Sequence, residues 1–509
     1  MTEMMQDEEQ RAGRKEWTGL AVLALPLLLV SMDVSVLYFA VPFISRDLDP
    51  SATQQLWIFD IYGFVLAGLL LTMGSLGDRI GRRRLLLIGA VGFSLASILA
   101  AYAPSAEVLI AARAILGIAG ATLMPSTLAL IRNMFHNAED RGKAIAIWTA
   151  VMTGGISLGP VISGALLEHF WWGSVFLINI PAMLLLLAIG PVLLPEFRPP
   201  NPGRFDYISS VLSLAAILPL IYGIKEWAAN GFSADYVGFI VVGLIFGGAF
   251  VQRQRVVPDS ILDLSLFANR GFNASAIANS VAMFALVGNA VFMTQYLQSV
   301  LAMSPLKAAL WSLAPSVVVA GAAPIATTLG AKVNRAYVLA GGFLIAAAGF
   351  AIVANVHATS SLAVILIGAA VLSAGLVAVM TLVTEVALGA IPPERAGSAS
   401  AVIETGSEFG GALGIAILGS IGAAVYGNHV ASAIPAGTPD ETRHAIRETL
   451  GGAIAVTDHL PNGGAILAAA RDAFTTGMNV EASAGAVVMV AAAILCALFL
   501  RNAGHLDTV

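Results

Sequence analysis

The chain has 509 residues, of which 26 are Lys or Arg and 31 Asp or Glu, so 11% are charged, against roughly 25% in soluble domains. With 58% apolar residues and 51 glycines, its composition is that of a polytopic helical membrane protein, which excludes a soluble enzyme, a disordered scaffold and a nucleic-acid binder. The net charge of -5 is spread over loops, and the single cysteine, Cys496, excludes an internal disulfide and any multi-cysteine metal or redox motif.

A spanning helix needs about 20 mostly apolar residues. Fourteen such runs follow one another, at 18–43, 54–76, 85–103, 107–131, 143–167, 174–194, 206–224, 235–252, 273–300, 305–328, 336–354, 362–384, 397–424 and 482–500. The first is too long for a secretory signal and leads into no small-residue cleavage site. Basic residues accumulate in cytoplasmic loops. With the amino terminus inside, 19 of the 26 fall on the inner side and six on the outer, Arg46, Lys225 and Lys307 being those in short outer loops. The even span count then puts both termini in the cytoplasm. One long outer connection, 425–481, reads as two short amphipathic helices, 440–456 and 464–476, broken by His459-Leu-Pro-Asn-Gly-Gly. A cap on the outer mouth and a plain solvated loop are equally good readings of it.

Along the chain, charge appears inside the apolar runs at few places. A central charge costs about 2.5–3.5 kcal/mol on insertion scales, so each is a functional hypothesis. Asp33 lies in span 1, Arg113 in span 4, and Glu404 and Glu408 in span 13, while Asp60 stands towards the outer part of span 2. Glu404 and Glu408, four residues apart, share one helix face, with Gly406, Gly410 and Gly414 roughly opposite. Two carboxylates so close in a low-dielectric cavity cannot both ionise cheaply, so at least one keeps its proton until a cation replaces it. That is proton/cation exchange, assigned here to Asp33, Glu404, Glu408 and Asp60. Arg113 is either a counter-charge relaying to a carboxylate of the first bundle or a structural ion pair. The alternative for the acids is hydrogen-bonded helix glue.

After span 2 the sequence reads Gly74-Ser-Leu-Gly-Asp78-Arg79-Ile-Gly81-Arg82-Arg83-Arg84, a tight turn whose acid suggests a charge clasp to a neighbouring helix. In span 5, Gly154, Gly155, Gly159 and Pro160 let the helix bend or another helix approach closely, or else form a static packing face. Aromatic faces attract cations. Tyr38, Trp57, Tyr62, Trp148, Phe292, Tyr296 and Trp311 are candidate substrate lining, each with ordinary packing as its alternative, and Trp171, Trp172 and Trp227 read as an interfacial belt. No G-x-x-x-x-G-K-[ST], H-E-x-x-H or G-x-S-x-G pattern occurs, which leaves the proton gradient as the energy source and gives no sign of a cofactor or of enzymatic chemistry.

The turn at 74–84 resembles the signature loop of the major facilitator superfamily, G-x-L-a-D-r-x-G-r-k, at every strongly constrained position. Arg113 with Gly117 and Ala121 resembles R-x-x-q-G, although Leu116 replaces the usual Gln. The run Gly155-Ile-Ser-Leu-Gly159-Pro160-Val-Ile-Ser163-Gly164 resembles the antiporter motif g-x-x-x-G-P-x-x-G-G, with Ser163 for the first of the final pair. Asp33-Val-Ser35-Val-Leu-Tyr38-Phe-Ala40-Val-Pro42 resembles l-D-x-T-v-v-n-v-A-l-P, with Tyr38 where Asn is common. Together with the span count, these are similar to the fourteen-span drug:proton antiporters, the group that includes quaternary-ammonium efflux pumps.

The resemblance implies an all-α major facilitator fold with an amino-terminal six-helix bundle over 1–195, two inserted helices over 196–262 and a second six-helix bundle over 263–509. It implies alternating access by one bundle rocking on the other, in a monomer of the bacterial cytoplasmic membrane. The implied activity is export of lipophilic, mainly cationic drugs and biocides in exchange for protons, with membrane lipid as surroundings and neither nucleic acid nor cofactor as partner. Export of an endogenous lipid, siderophore or other metabolite is a second reading, and a non-transporting membrane sensor a third. Some branch members carry a further acid in span 10, where this chain has none, so proton number and preference for divalent cations stay open.

Overall fold

The structure is a computed structural model and describes residues 11–198, 206–257, 262, 264–389, 396–435, 437–457, 460 and 462–499, which contain helices and no strand. The helices are α1 (Arg14–Leu48), α2 (Ala52–Ile80), α3 (Arg82–Ala101), α4 (Ala106–Met134), α5 (Ala138–His169), α6 (Ser174–Leu193), α7 (Tyr207–Asn230), α8 (Ala234–Val256), α9 (Arg270–Val300), α10 (Pro305–Lys332), α11 (Arg335–Val353), α12 (Leu362–Gly389), α13 (Ala396–Ala431), α14 (Asp440–Glu448), α15 (Leu450–Thr457) and α16 (Gly463–Phe499). Thirteen are long and apolar enough to cross a membrane, and α5, bent by 40° between Ile156 and Leu158, makes a fourteenth.

Local chemistry sets several of the ends. Ser51 and Gln54 form a reciprocal capping box at the start of α2, and Ser105, Asn137 and Ser233 cap α4, α5 and α8. Pro305 opens α10 behind the cap of Ser304, where its missing N–H costs nothing. The sharp turn from α2 to α3 is made by Gly81 at φ +109°, a conformation other residues rarely adopt.

Among the first six helices, α1 packs on α5 and α6, and α4 on α2 and α3. Among the later ones, α9 packs on α12 and α13, α11 on α12 and α16, and α13 on α16. The two groups meet where α2 lies on α13 and α5 on α10. Glycines allow this approach. A side chain at Gly164 of α5 would stand 2.8 Å from the Leu306 Cα, and one at Gly419 of α13 2.6 Å from Leu56. The inserted helix α7 touches both groups: Ile221 is buried with Phe64 of α2 and Ala412 and Ala416 of α13. Outside it, α8 packs on α7.

Three expectations are corrected. The last helix begins at Gly463, so the residues read as a separate helix at 464–476 are its first four turns, and the helix read at 440–456 is two, α14 and α15, divided at an extended Thr449. Arg471 and Asp472 lower the local hydropathy, yet Arg471 satisfies its charge on the Ser299 carbonyl (2.9 Å) and the helix continues. The connection rests on the first helices: Glu448 accepts a hydrogen bond from the Ala52 N–H (2.6 Å), and Gly451 lies against Ser45. Trp172 is not a belt residue, because it is buried and its indole N–H donates to Asp47 (3.0 Å), whereas Trp171 and Trp227 are exposed.

Candidate functional site

Helix α13 carries the two acids that the helical period sets on one face. Glu404 and Glu408 are half-buried, lie within electrostatic reach of each other, and have no ion-pair partner among the described residues. The opposite face is the packing face: a side chain at Gly410 or Gly414 would strike the backbone of Ser280 or Phe284 on α9, and one at Gly406 would meet the Ser280 hydroxyl. Towards the first group, Glu408 faces α2, where a side chain at Gly63 would come 3.9 Å from its Oε2.

Across from Glu408 stand Tyr38 of α1 and Tyr62 of α2, both within electrostatic reach of Glu408 and of Arg113. Tyr62 also holds the guanidinium of Arg113 4.7 Å from its ring centroid, at which distance a cation–π attraction operates. The Tyr38 hydroxyl is buried and has no hydrogen-bond partner. It is an unpaired donor within electrostatic reach of Glu408, and a buried unpaired hydroxyl costs about 1–3 kcal/mol.

Asp33 is paired. Its carboxylate accepts from Arg113, and both side chains are buried. Arg113 completes its set on the carbonyls of Ile58 (3.1 Å) and Phe59 (3.4 Å) near the start of α2. The fixed fork of an arginine suits this arrangement, since one group ties three strands of chain. The pair thus joins α1, α2 and α4 and carries no net charge, and its guanidinium lies against the ring of Tyr62.

Asp60 is not brought to the other acids. It is held by Lys225 of α7, whose ammonium lies 2.9 and 3.1 Å from the two carboxylate oxygens, and neither side chain has any exposure. The ammonium also sits 4.1 Å from the centroid of Trp57, which stacks on Tyr222. Lys225, read as an outer-loop residue, therefore lies inside a span, where it neutralises Asp60 and fastens the inserted helix to α2. Trp57 does attract a cation, but one belonging to the chain.

Asp78, in the last turn of α2, pairs at 2.5 Å with Arg82, the first residue of α3, and so clasps α2 to the next helix. A second clasp, to the end of α6, is made by Arg83: its N–H donates to Glu196 (3.1 Å), and its guanidinium donates to the carbonyls of Pro191 and Leu194 (both 2.9 Å). Arg79 is exposed, Gly74 approaches Pro125 of α4, and Gly81 leaves room for the Glu196 carboxylate. In α5, the bend falls between Gly155 and Gly159, whose bare backbones lie on Leu28, Ser31, Met32 and Ser35 of α1, with Pro160 inside the helix.

The remaining aromatic candidates scatter. Trp148 is half-buried and donates its indole N–H to Thr127 (3.1 Å). Phe292 packs at a tilt against Phe474, and Tyr296 is fully buried and donates its hydroxyl to the His357 carbonyl (2.8 Å). Both are packing within the later group of helices. Trp311 is 42% exposed. Of this set, Tyr38 and Tyr62 lie within electrostatic reach of Glu408. Sequence reasoning missed Lys225 and Glu481, a buried acid of α16; the available signal for Lys225 was an unexplained acid, Asp60, at a matching depth in another span.

The family model for the Major Facilitator Superfamily matches residues 23–415. The chain is 45% identical to the multidrug efflux pump LfrA of Mycolicibacterium smegmatis, over 97% of this chain and 98% of that one. It is 34% identical to the methyl viologen resistance protein SmvA of Salmonella typhimurium, over 94% and 97% respectively. Its fold matches a solved bacterial homologue of the human lysosomal transporter Spinster, in an inward-facing and unoccupied conformation, at a TM-score of 0.69 with 17% identity, covering 96% of this chain and 98% of that one. The helical bundles, the clasped turn between α2 and α3, and this match over most of the sequence agree, and the chain belongs to the Major Facilitator Superfamily.

Proposed function

We propose that this transporter exports lipophilic, mainly cationic compounds in exchange for protons, with Glu404 and Glu408 as the groups that proton and substrate occupy in turn. The observation that carries the proposal is the contrast among the membrane acids. Asp33 and Asp60 are neutralised by Arg113 and Lys225, whereas Glu404 and Glu408 are half-buried with no ion-pair partner among the described residues. Two adjacent carboxylates without counter-charge hold at least one proton, and a cation entering beside them displaces it. Tyr38 and Tyr62 supply aromatic rings, and Tyr38 an unpaired hydroxyl, within electrostatic reach of that charge. The names of the relatives support the substrate class: one is a multidrug efflux pump, and methyl viologen, the compound named for another, is a quaternary dication.

In this reading, α2 and α13, and α5 and α10, part and close as the bundles rock, with the bacterial cytoplasmic membrane as the setting and both termini inside. Asp33–Arg113 and Asp60–Lys225 hold helices in register rather than carrying protons. The test uses everted vesicles and ethidium: addition of the dye releases protons from the interior of wild-type vesicles. That release is lost in Glu408→Gln and Glu404→Gln, while a charge-free exchange at the other site, Asp60→Asn with Lys225→Met, retains it. Unaltered proton release in both glutamine variants would reject the assignment.

A further inference from the structure

Helix α16 carries a third membrane acid for which the proposed exchange has no use. Glu481 is fully buried, and neither of its carboxyl oxygens has a hydrogen-bond partner. The surroundings follow from the helical period: residues 477, 481 and 485 share one face of α16. One turn before the acid, Gly477 leaves room for the backbone of Gly422 on α13, and one turn after it, Gly485 leaves room for the ring of Phe350 on α11. The carboxyl is thus enclosed where α16 meets α11 and α13. The elements packed on α16 offer it no counter-charge. On α11 the titratable groups are Arg335 and Tyr337, both exposed, and on α9 they are Arg270, exposed, and Tyr296, bonded to the His357 carbonyl. On α13 they are Glu404, Glu408, His429, which is exposed, and Tyr426, bonded to the Ile446 carbonyl; α15 has none. On α16 itself, Arg471 is bonded to the Ser299 carbonyl and Asp472 is exposed.

An ionised carboxylate with neither cation nor donor costs several kcal/mol inside a bilayer-embedded bundle. In this conformation Glu481 is therefore a neutral acid. We infer that Glu481 is a second proton-binding carboxyl, lodged in the seam of α16 with α11 and α13 and separate from Glu404 and Glu408, which gives up its proton when that seam opens. The step is simple: water enters the seam, the O–H bond of the acid breaks, the proton passes to water, and the carboxylate is left hydrated. The seam is suited to opening. Its close contacts rest on Gly422, Gly477 and Gly485 and so on van der Waals packing, with a hydrogen bond from Asn479 to the Val356 carbonyl (2.9 Å) at its edge. Because α13 also bears Glu404 and Glu408, a shift of that helix during transport acts on both carboxyl sites. The role in transport rests on the proton-coupled reading above, whereas the proton on Glu481 does not.

Two measurements separate these levels. Infrared spectra of the purified, substrate-free protein at neutral pH should contain a protonated-carboxyl C=O band that persists in the Glu404→Gln, Glu408→Gln double variant and is lost in Glu481→Gln. A band indifferent to Glu481→Gln overturns the inference. In proteoliposomes, Glu481→Gln should move fewer protons per ethidium with unchanged ethidium affinity. An unchanged ratio, or an affinity loss equal to that of Glu408→Gln, also overturns it. If the wild type moves no protons with ethidium, the antiport reading falls and the infrared band alone decides for or against Glu481. Should Glu481→Gln fail to fold, Glu481→Met removes the carboxyl at similar volume and is expected to give the same band loss and ratio.

Discussion

Replacing Lys225 by Met tests the buried tie between the inserted helix and the first bundle. The pair has no exposed atom and includes two contacts of 2.9 and 3.1 Å. Removing one partner of such a pair costs about 3–5 kcal/mol, because it strands the other charge, and loss of the cation over Trp57 adds up to about 2 kcal/mol. At 1.4 kcal/mol per tenfold, even about 3 kcal/mol shifts the folded fraction by more than 100-fold. Removing both charges is different: replacement of a buried pair by apolar groups is often neutral or stabilising by about 1–4 kcal/mol. Lys225→Met should therefore unfold far more readily than wild type in detergent, and Lys225→Met with Asp60→Asn should recover most of the loss, with a coupling energy of about 2 kcal/mol or more. Ethidium export should follow the same pattern. If Asp60→Asn keeps full stability but abolishes export, and Lys225→Met does not rescue it, then Asp60 is a coupling group and the reasoning from burial is wrong.

Other outcomes follow from the same geometry. Arg113→Lys keeps the charge beside Asp33 but loses the fork to the Ile58 and Phe59 carbonyls, each such bond being worth about 1.5–3 kcal/mol, so a drop in unfolding free energy of at least that size is expected in denaturant titrations. Gly164→Val sets a side chain against the Leu306 backbone, and overpacking costs about 1–3 kcal/mol; spin labels at the exposed positions 168 and 307 should report a population shifted to longer distances, and an unchanged distribution would show that this contact does not hold the halves together. At the start of α7, burial pushes the Asp206 carboxyl up, but the bidentate Arg253 and the Ser209 hydroxyl and N–H outweigh it and hold the group at about 2. Because the folded value lies below the ordinary value of about 3.9, the stabilisation is complete above that value and is lost as pH falls through about 2. Asp206→Asn should accordingly be less stable than wild type at neutral pH, with the gap closing as the pH is lowered through that window.

The apolar runs made the fold legible, because a bilayer demands long uninterrupted helices and the chain has them. The site was legible where a single helix carries it: the spacing of Glu404 and Glu408 puts two acids on one face and Gly406, Gly410 and Gly414 on the other, and that division holds against α9 and α2. What could not be read were pairings across the chain. Lys225 lies 165 residues from Asp60, and a lysine followed by Glu226 at the end of an apolar run looks like a loop until a partner for it is known. Glu481 escaped for the complementary reason. Arg471 and Asp472 lower the hydropathy ahead of it, so the apolar run reads as beginning after the acid, whereas Arg471 finds a backbone carbonyl and the helix starts at Gly463. Trp172 likewise has its partner, Asp47, 125 residues away. The aromatic candidates divided by neighbours that no local pattern encodes.

The most direct measurement of the central claim is the number of protons released on ethidium binding to the purified protein, followed with a pH indicator in weak buffer. Release in wild type, abolished in the Glu404→Gln, Glu408→Gln double variant and preserved when Asp60 and Lys225 are neutralised together, is the predicted result. Release that survives the loss of both glutamates, or its absence in wild type despite tight ethidium binding, would contradict the exchange of proton and cation at these two carboxylates.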